Sequence, residues 1–162
     1  MKNYNLAVVG ATGNVGREIL NILEQRSFPI KKIHALASKK SEGTKLSYGN
    51  DKEITVEDLD KFNFKSVDIV LSSPGSNVSK KFVPIATKAG SIVIDNTSHF
   101  RMNKDIPLIV PEVNPEDLKS FKKKKVIANP NCSTILFFIK KKKIYYLFNI
   151  PRVVDCPYQS TS

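Results

Sequence analysis

The chain has 162 residues, a net charge of +11 from 26 Lys and Arg against 15 Asp and Glu, and a hydrophobic share of 41%, enough for a globular unit with its own core. No stretch approaches the roughly 20 apolar residues of a membrane span, and two cysteines with two histidines support neither a disulfide framework nor a zinc site. The positive excess lies largely in Lys122–Lys125 and Lys140–Lys143, which interleave with no nucleic-acid motif; it reads as solvated surface, and its field suits anionic substrates and cofactors.

Met1 to Leu6 offers neither the apolar core nor the cleavage site of a secretory signal, so a cytoplasmic protein is expected, with no membrane and no nucleic-acid partner. Asn5–Gly10 is a short apolar run closed by glycine and predicts a buried strand. From Val15 the apolar spacing becomes helical through Ile19, Leu20, Ile22 and Leu23, and Pro29 marks the end of that connection. Further strands are predicted at Ile33–Ser38, Val67–Ser72, Ser91–Asp95 and Lys125–Ala128, with a helix over Val78–Ala86 that Pro84 interrupts. Continuous apolar strands alternating with helices imply an α/β fold, a Rossmann-like, doubly wound, mostly parallel sheet covered on both faces. Leu136–Phe148 places apolar triplets either side of four lysines, which reads as a poorly patterned helix or a degraded segment. The chain stops at Ser162 without a terminating helix or cap, the mark of a truncated protein.

Gly10-Ala11-Thr12-Gly13-Asn14-Val15-Gly16 follows the first strand and opens the first helix, the context that gives a glycine fingerprint physical meaning. Gly10 permits the tight exit from the strand, Gly13 lets the backbone approach a pyrophosphate, and Gly16 lets the helix pack against the sheet. The spacing is GxxGxxG, a variant of the common GxGxxG. After the second strand stand Ser38, Lys39, Lys40 and Ser41, with no acid for a ribose 2′-hydroxyl; these residues suit a 2′-phosphate, so NADP is the expected cofactor. The plainer readings are a structural turn and solvated lysines.

Cys132 lies in Asn129-Pro130-Asn131-Cys132-Ser133-Thr134-Ile135, at the expected start of a helix, where the positive end of the dipole favours a thiolate. Taken alone it is more often an inert cysteine. Together with the Gly10–Gly16 turn, and with Ala37–Ser41, Leu71–Gly75, Ile94–Met102 and Val110–Pro115 in this order, the chain resembles aspartate-semialdehyde dehydrogenase. The likeness runs from Leu6 to Ile135 and again over Arg152–Ser162. It implies reversible, NADP-dependent interconversion of aspartate semialdehyde plus phosphate with aspartyl phosphate, in amino-acid biosynthesis, through a thioester on Cys132. By the same resemblance Gln159 orients the substrate, and Arg101 and Asn131 bind phosphate, a task that suits a guanidinium fork. Ser73, Pro74, Gly75 and Asn96 line the cofactor on the same basis. His99 reads as a surface or packing residue and Cys156 as incidental. The related N-acetyl-γ-glutamyl-phosphate reductase, which typically has glycine where Asn131 stands, is the alternative enzyme. A non-catalytic remnant that binds NADP or pairs with a subunit is the alternative outside catalysis.

The family continues into a second domain carrying a catalytic histidine, a substrate-carboxylate arginine and most of the subunit interface of a homodimer or homotetramer. The resemblance therefore divides the chain into a cofactor-binding domain over residues 1–131 and the beginning of an α+β catalytic and dimerisation domain over 132–162, expected to be inactive by itself. Leu136–Phe148 departs from the family sequence. So does Asp155-Cys156-Pro157, where Pro157 removes a strand donor close to Gln159.

Overall fold

The computed structural model describes residues 2–49 and 52–148, the side chains of 141–148 excepted; Cys156, Pro157 and Gln159 lie outside the described residues. Seven strands make one sheet: β1 (Tyr4–Val9), β2 (Ile30–Ala37), β3 (Lys45–Tyr48), β4 (Lys52–Asp58), β5 (Ile69–Ser72), β6 (Ile92–Asp95) and β7 (Val126–Ala128). Their order is β3-β4-β2-β1-β5-β6-β7, parallel throughout except for the antiparallel pair β3 and β4. Helices α1 (Asn14–Gln25) and α2 (Ser76–Lys88) make the crossovers from β1 to β2 and from β5 to β6, and α3 (Cys132–Phe148) follows β7. This is the Rossmann-like α/β architecture that the alternation of strands and helices predicts.

Period-two alternation explains why β1 is apolar at every inner position. Leu6 and Val8 pack with Leu20 and Leu23 of α1, while Ala7 and Val9 pack with Phe82, Val83 and Ala86 of α2. Helix α1 stops where Ser27 takes a left-handed φ of 47° and the Phe28 N–H closes back on the Leu23 carbonyl at 3.0 Å. Pro29 then leads into β2, which begins at Ile30, three residues earlier than its apolar run indicates.

Helix α2 runs unbroken through Pro84, contrary to the predicted interruption. Proline removes one helical N–H at a cost of about 3 kcal/mol in a helix interior. Here its ring faces solvent, while Phe82, Val83 and Ala86 are buried and Phe82 stacks on Phe64 at 6.0 Å. The Thr87 hydroxyl donates to the Val83 carbonyl at 3.0 Å, adding a local contact in the same turn. Tertiary burial outweighs the lost bond.

Strands β3 and β4 are the elements the apolar pattern does not reveal. β4 carries four charged residues in seven, and β3 is a four-residue edge strand buried only at Leu46. Leu136–Phe148 falls within α3 and is helical; Leu136 and Phe138 are exposed on it.

Candidate functional site

The chain leaves β1 toward β2 on one side, and β5 later enters on the other side of β1. The sheet therefore has its switch point between β1 and β5, where open α/β sheets bind ligands beyond the carboxyl ends of the strands. A cleft of about 410 Å³ opens there. Gly10, Thr12 and Gly13 form one wall, Ala37 and Ser38 come from the end of β2, and Ser73 and Pro74 from the end of β5. Leu59, Asp60, Val78, Lys81 and Phe82 complete the lining.

Two of the three glycines are fixed by packing. Gly10 has φ +80°, and a Cβ on it would stand 2.8 Å from the Ser73 carbonyl oxygen, so the turns after β1 and β5 touch through bare backbone. A Cβ on Gly16 would fall 2.2 Å from the Gly10 carbonyl oxygen. At Gly13 the nearest atom would be 3.4 Å away, so its missing side chain leaves room in the cleft instead of relieving a clash. Gly13 also caps α1 without a side-chain acceptor, and no acid stands in the first turn, at Asn14 to Gly16. The N–H groups there suit a phosphate. The residues present fit a dinucleotide.

Of the other expected cofactor residues, Ala11 is buried behind the turn, and Asn14 and Val15 are exposed on the first turn of α1. Lys39, Lys40 and Ser41 make a short 3-10 turn directly after Ser38, outside the cleft lining. Gly75 caps α2.

Beyond Gly10 the strand ends continue in step. Ser73 N–H donates to Val9, Asn96 N–H to Ser72 and Asn129 N–H to Asp95, at 2.8–2.9 Å. At roughly 4.8 Å per strand, the turn after β7 stands about 14 Å along this edge from the turn after β1. Cys132 lies on that turn, exposed, as the first residue of α3. Its Sγ donates to Asn131 Oδ1 at 3.1 Å. The same Oδ1 accepts the Ser133 N–H at 3.4 Å and the Asn131 carbonyl accepts Ile135 N–H at 2.9 Å, so Asn131 caps the helix that carries the thiol.

Arg101 is half-buried beneath this edge. Its Nε donates to the Asn129 carbonyl at 3.0 Å and its Nη2 to the Asn96 carbonyl at 2.7 Å, so among the described residues these bonds use two of the five guanidinium N–H donors. Asp95, at the end of β6, is fully buried and accepts from three hydroxyls: Ser72 at 2.8 Å, Ser79 at 2.9 Å and Thr97 at 2.6 Å. That cluster ties β5, α2 and β6 together below the cleft. His99 is exposed and meets Phe100 edge to face.

Residues 5–121 match the family described as semialdehyde dehydrogenase, NAD binding domain. The chain belongs to that family. It is 52% identical over 160 residues to an aspartate-semialdehyde dehydrogenase of Aquifex aeolicus, a match covering 98% of this chain and 47% of the relative. Its fold superposes with a TM-score of 0.86, at 47% identity, on Vibrio cholerae aspartate semialdehyde dehydrogenase II complexed with ASA, over 90% of this chain and 47% of that one. The Candida albicans enzyme, solved with NADP, superposes with a TM-score of 0.71 at 28% identity over 92% and 48%. The chain thus spans about half the length of the semialdehyde dehydrogenases it matches.

In this semialdehyde dehydrogenase domain the sequence reading misses Leu59, Asp60, Val78 and Lys81 as cleft residues, and Asn129 as a link in the edge. No local motif marks them, because they meet only once β4, α2 and β7 are in place. Among the described residues no cluster of His, Cys, Asp and Glu is arranged to hold a metal, and no helix is long and apolar enough to cross a membrane.

Proposed function

We propose that the chain is the cofactor-binding, thiol-bearing part of an NADP-dependent, phosphorylating aspartate-semialdehyde dehydrogenase. The observation that carries this reading is the placement of Cys132 on the same carboxyl edge as the Gly10–Gly16 turn, with the ends of β5 and β6 between them. The relatives' names and the Candida albicans structure with NADP support the choice of reaction and cofactor.

Gly10, Gly13 and the first turn of α1 hold the pyrophosphate, Ser38 to Ser41 stand at the adenosine end, and Ser73, Pro74, Gly75 and Asn96 lead toward the nicotinamide. When bound, the cofactor accepts or donates a hydride. The Cys132 thiolate attacks the aldehyde carbon of aspartate semialdehyde; loss of hydride from that carbon leaves a thioester. An oxygen of inorganic phosphate then attacks the acyl carbon and expels the thiolate, giving aspartyl phosphate. In the reverse direction the thiolate displaces phosphate. Arg101, which holds the Asn129 carbonyl with Nε, and the Asn131 amide, which accepts from the Cys132 thiol, receive the phosphate.

Removing the hydroxyl proton of the hemithioacetal needs a base, and general acid–base catalysis typically supplies about 10²–10⁴-fold. Among the described residues Cys132 is hydrogen-bonded to Asn131 and to no acid or base, so turnover by these residues alone is expected to be slow. Acyl transfer from aspartyl phosphate has a good leaving group and escapes that limit. Incubation with 4-phospho-L-aspartate followed by peptide mass mapping is therefore expected to find an aspartyl adduct on Cys132, lost in Cys132→Ser. A folded, NADPH-binding chain without that adduct would contradict the proposed reaction.

A further inference from the structure

We propose that a cavity on the Leu36 face of the sheet binds a small organic cation, a primary ammonium compound, at a site separate from the cofactor cleft. The cavity measures about 350 Å³ and lies against β2 and β4; His34, Glu42, Glu57, Asp58, Lys61 and Phe62 line it. It shares no lining residue with the cleft at Gly10. The short 3-10 turn Leu59–Lys61 is the partition: Asp58 lines the cavity on one side, and Leu59 and Asp60 line the cleft on the other.

Strand register assembles the site. His34 and Leu36 share one face of β2, and Leu36 pairs with Glu57 of β4, so Glu57 stands diagonally opposite His34. The His34 side chain is only 9% exposed and meets Phe62 edge to face, with ring centroids 4.8 Å apart. Its Nδ1 lies 2.6 Å from Glu57 Oε1. A carboxylate can only accept, so Nδ1 donates and Nε2 of the neutral ring is left as an acceptor. Nε2 has no partner among the described residues, and no sealed side-chain nitrogen or oxygen there lacks one. Nε2 therefore opens on the cavity that His34 lines.

Charge selects the ligand. Glu42, Glu57 and Asp58 line the cavity against Lys61 alone, a negative balance in a chain whose net charge is +11. Asp58 is buried, held by the Asp60 N–H at 3.1 Å and facing Lys61 at 3.7 Å, while Glu42 forms no ion pair with any described residue. A nearly buried lone pair beside carboxylates calls for a ligand that carries both N–H donors and positive charge. Among the described residues no group of His, Cys, Asp and Glu is arranged to hold a metal, so the donor set fits an organic ammonium. Phe62 offers apolar surface to a short alkyl stem.

Because the chain has two histidines, the test reads the site directly. The ring-proton NMR signals of His34, told from those of His99 by His99→Gln, are followed while the chain is titrated with n-propylammonium. Saturable shifts of the His34 signals are expected, half complete below about 10 mM. Tetramethylammonium carries the same charge without an N–H, and 1-propanol the same stem without charge; each is expected to bind about tenfold more weakly or worse. Glu57→Gln keeps an acceptor for Nδ1 but removes the charge, and is expected to weaken n-propylammonium about tenfold. Glu53→Gln removes a charge from the same strand outside the lining and is expected to stay within about twofold. Circular dichroism checks the fold of each variant. Equal affinity for tetramethylammonium would reduce the site to a diffuse negative surface and overturn the proposal. So would a folded wild-type chain without saturable shifts, or n-propylammonium that NADP⁺ displaces completely, which would place it in the cofactor cleft.

Discussion

The Asn129 side chain donates from Nδ2 to Asn96 Oδ1 at 2.7 Å, joining two turns that are 33 residues apart in sequence. Asn96 Nδ2 reaches Ser73 Oγ at 3.5 Å, and Arg101 holds the carbonyls of both asparagines from below. The turn that borders the cofactor cleft is thereby connected to the turn that leads to Cys132 through two amides and a guanidinium. Asn129→Ala removes the central link. It is expected to cost about 1 kcal/mol of stability, the net worth of one hydrogen bond, and to weaken NADPH several-fold because Asn96 loses its restraint. Urea unfolding and fluorescence titration of the same sample read both effects; an unchanged nucleotide affinity would confine Asn129 to a structural role.

The glycine turn separates packing from binding. Gly16→Ala puts a methyl into the Gly10 carbonyl and is expected to destabilise the chain by about 3 kcal/mol, at the upper end of overpacking costs. Gly13→Ala meets nothing closer than 3.4 Å and is expected to stay within about 0.5 kcal/mol of the wild type. It should nevertheless lose NADPH affinity tenfold or more, since the methyl fills the cleft. If both substitutions cost equal stability, the turn is read wrongly.

Asp95 tests how the floor of the site is held. Its carboxylate is reached by three hydroxyls and by no cation among the described residues. Asp95→Ala strands the hydroxyls of Ser72, Ser79 and Thr97 and is expected to cost about 3 kcal/mol. Asp95→Asn keeps one acceptor for Ser72 and Ser79, and the Thr97 hydroxyl can turn to accept from the new amide. It should cost clearly less than the alanine variant in the same denaturant titration.

How far the sequence reaches can be judged from these residues. Strands β1, β5, β6 and β7 are continuous apolar runs because both faces of the sheet are covered, and the turn of Gly10 is legible because its constraints are local. β4 is hidden by its charges, and the continuity of α2 past Pro84, though not the helix itself, is obscured by a proline that burial overrides. The direction of a side chain into a cleft is decided by helix phase, as at Lys81. The pairing of Asn96 with Asn129 has no local signature, since it exists only through the register of β6 and β7.

Alkaline stability follows from two groups at the far edge of the sheet. Burial and then the Glu24 carboxylate raise the Tyr48 phenol above its usual 10.0. The hydrogen bond from Lys45 to Glu53, and then the charge of that carboxylate, raise the Lys45 ammonium above 10.5. Both groups hold their protons longer in the folded chain than in the unfolded one. Their contribution is complete below the unfolded values and is lost as pH rises through the folded ones. Urea midpoints are expected to fall as pH rises above about 10, with a smaller fall in Tyr48→Phe. An identical fall in that variant would remove Tyr48 from the account.

The central claim is that one dinucleotide spans the strand ends from the Gly10 turn to Cys132. Its most direct test is the alkylation rate of Cys132 by iodoacetamide, resolved from Cys156 by peptide mass mapping, with and without saturating NADP⁺. The nicotinamide end is predicted to shield the thiol and slow the reaction several-fold, whereas 2′,5′-ADP, which fills only the adenosine end, leaves the rate unchanged. A Cys132 that reacts equally fast with NADP⁺ bound would contradict the account.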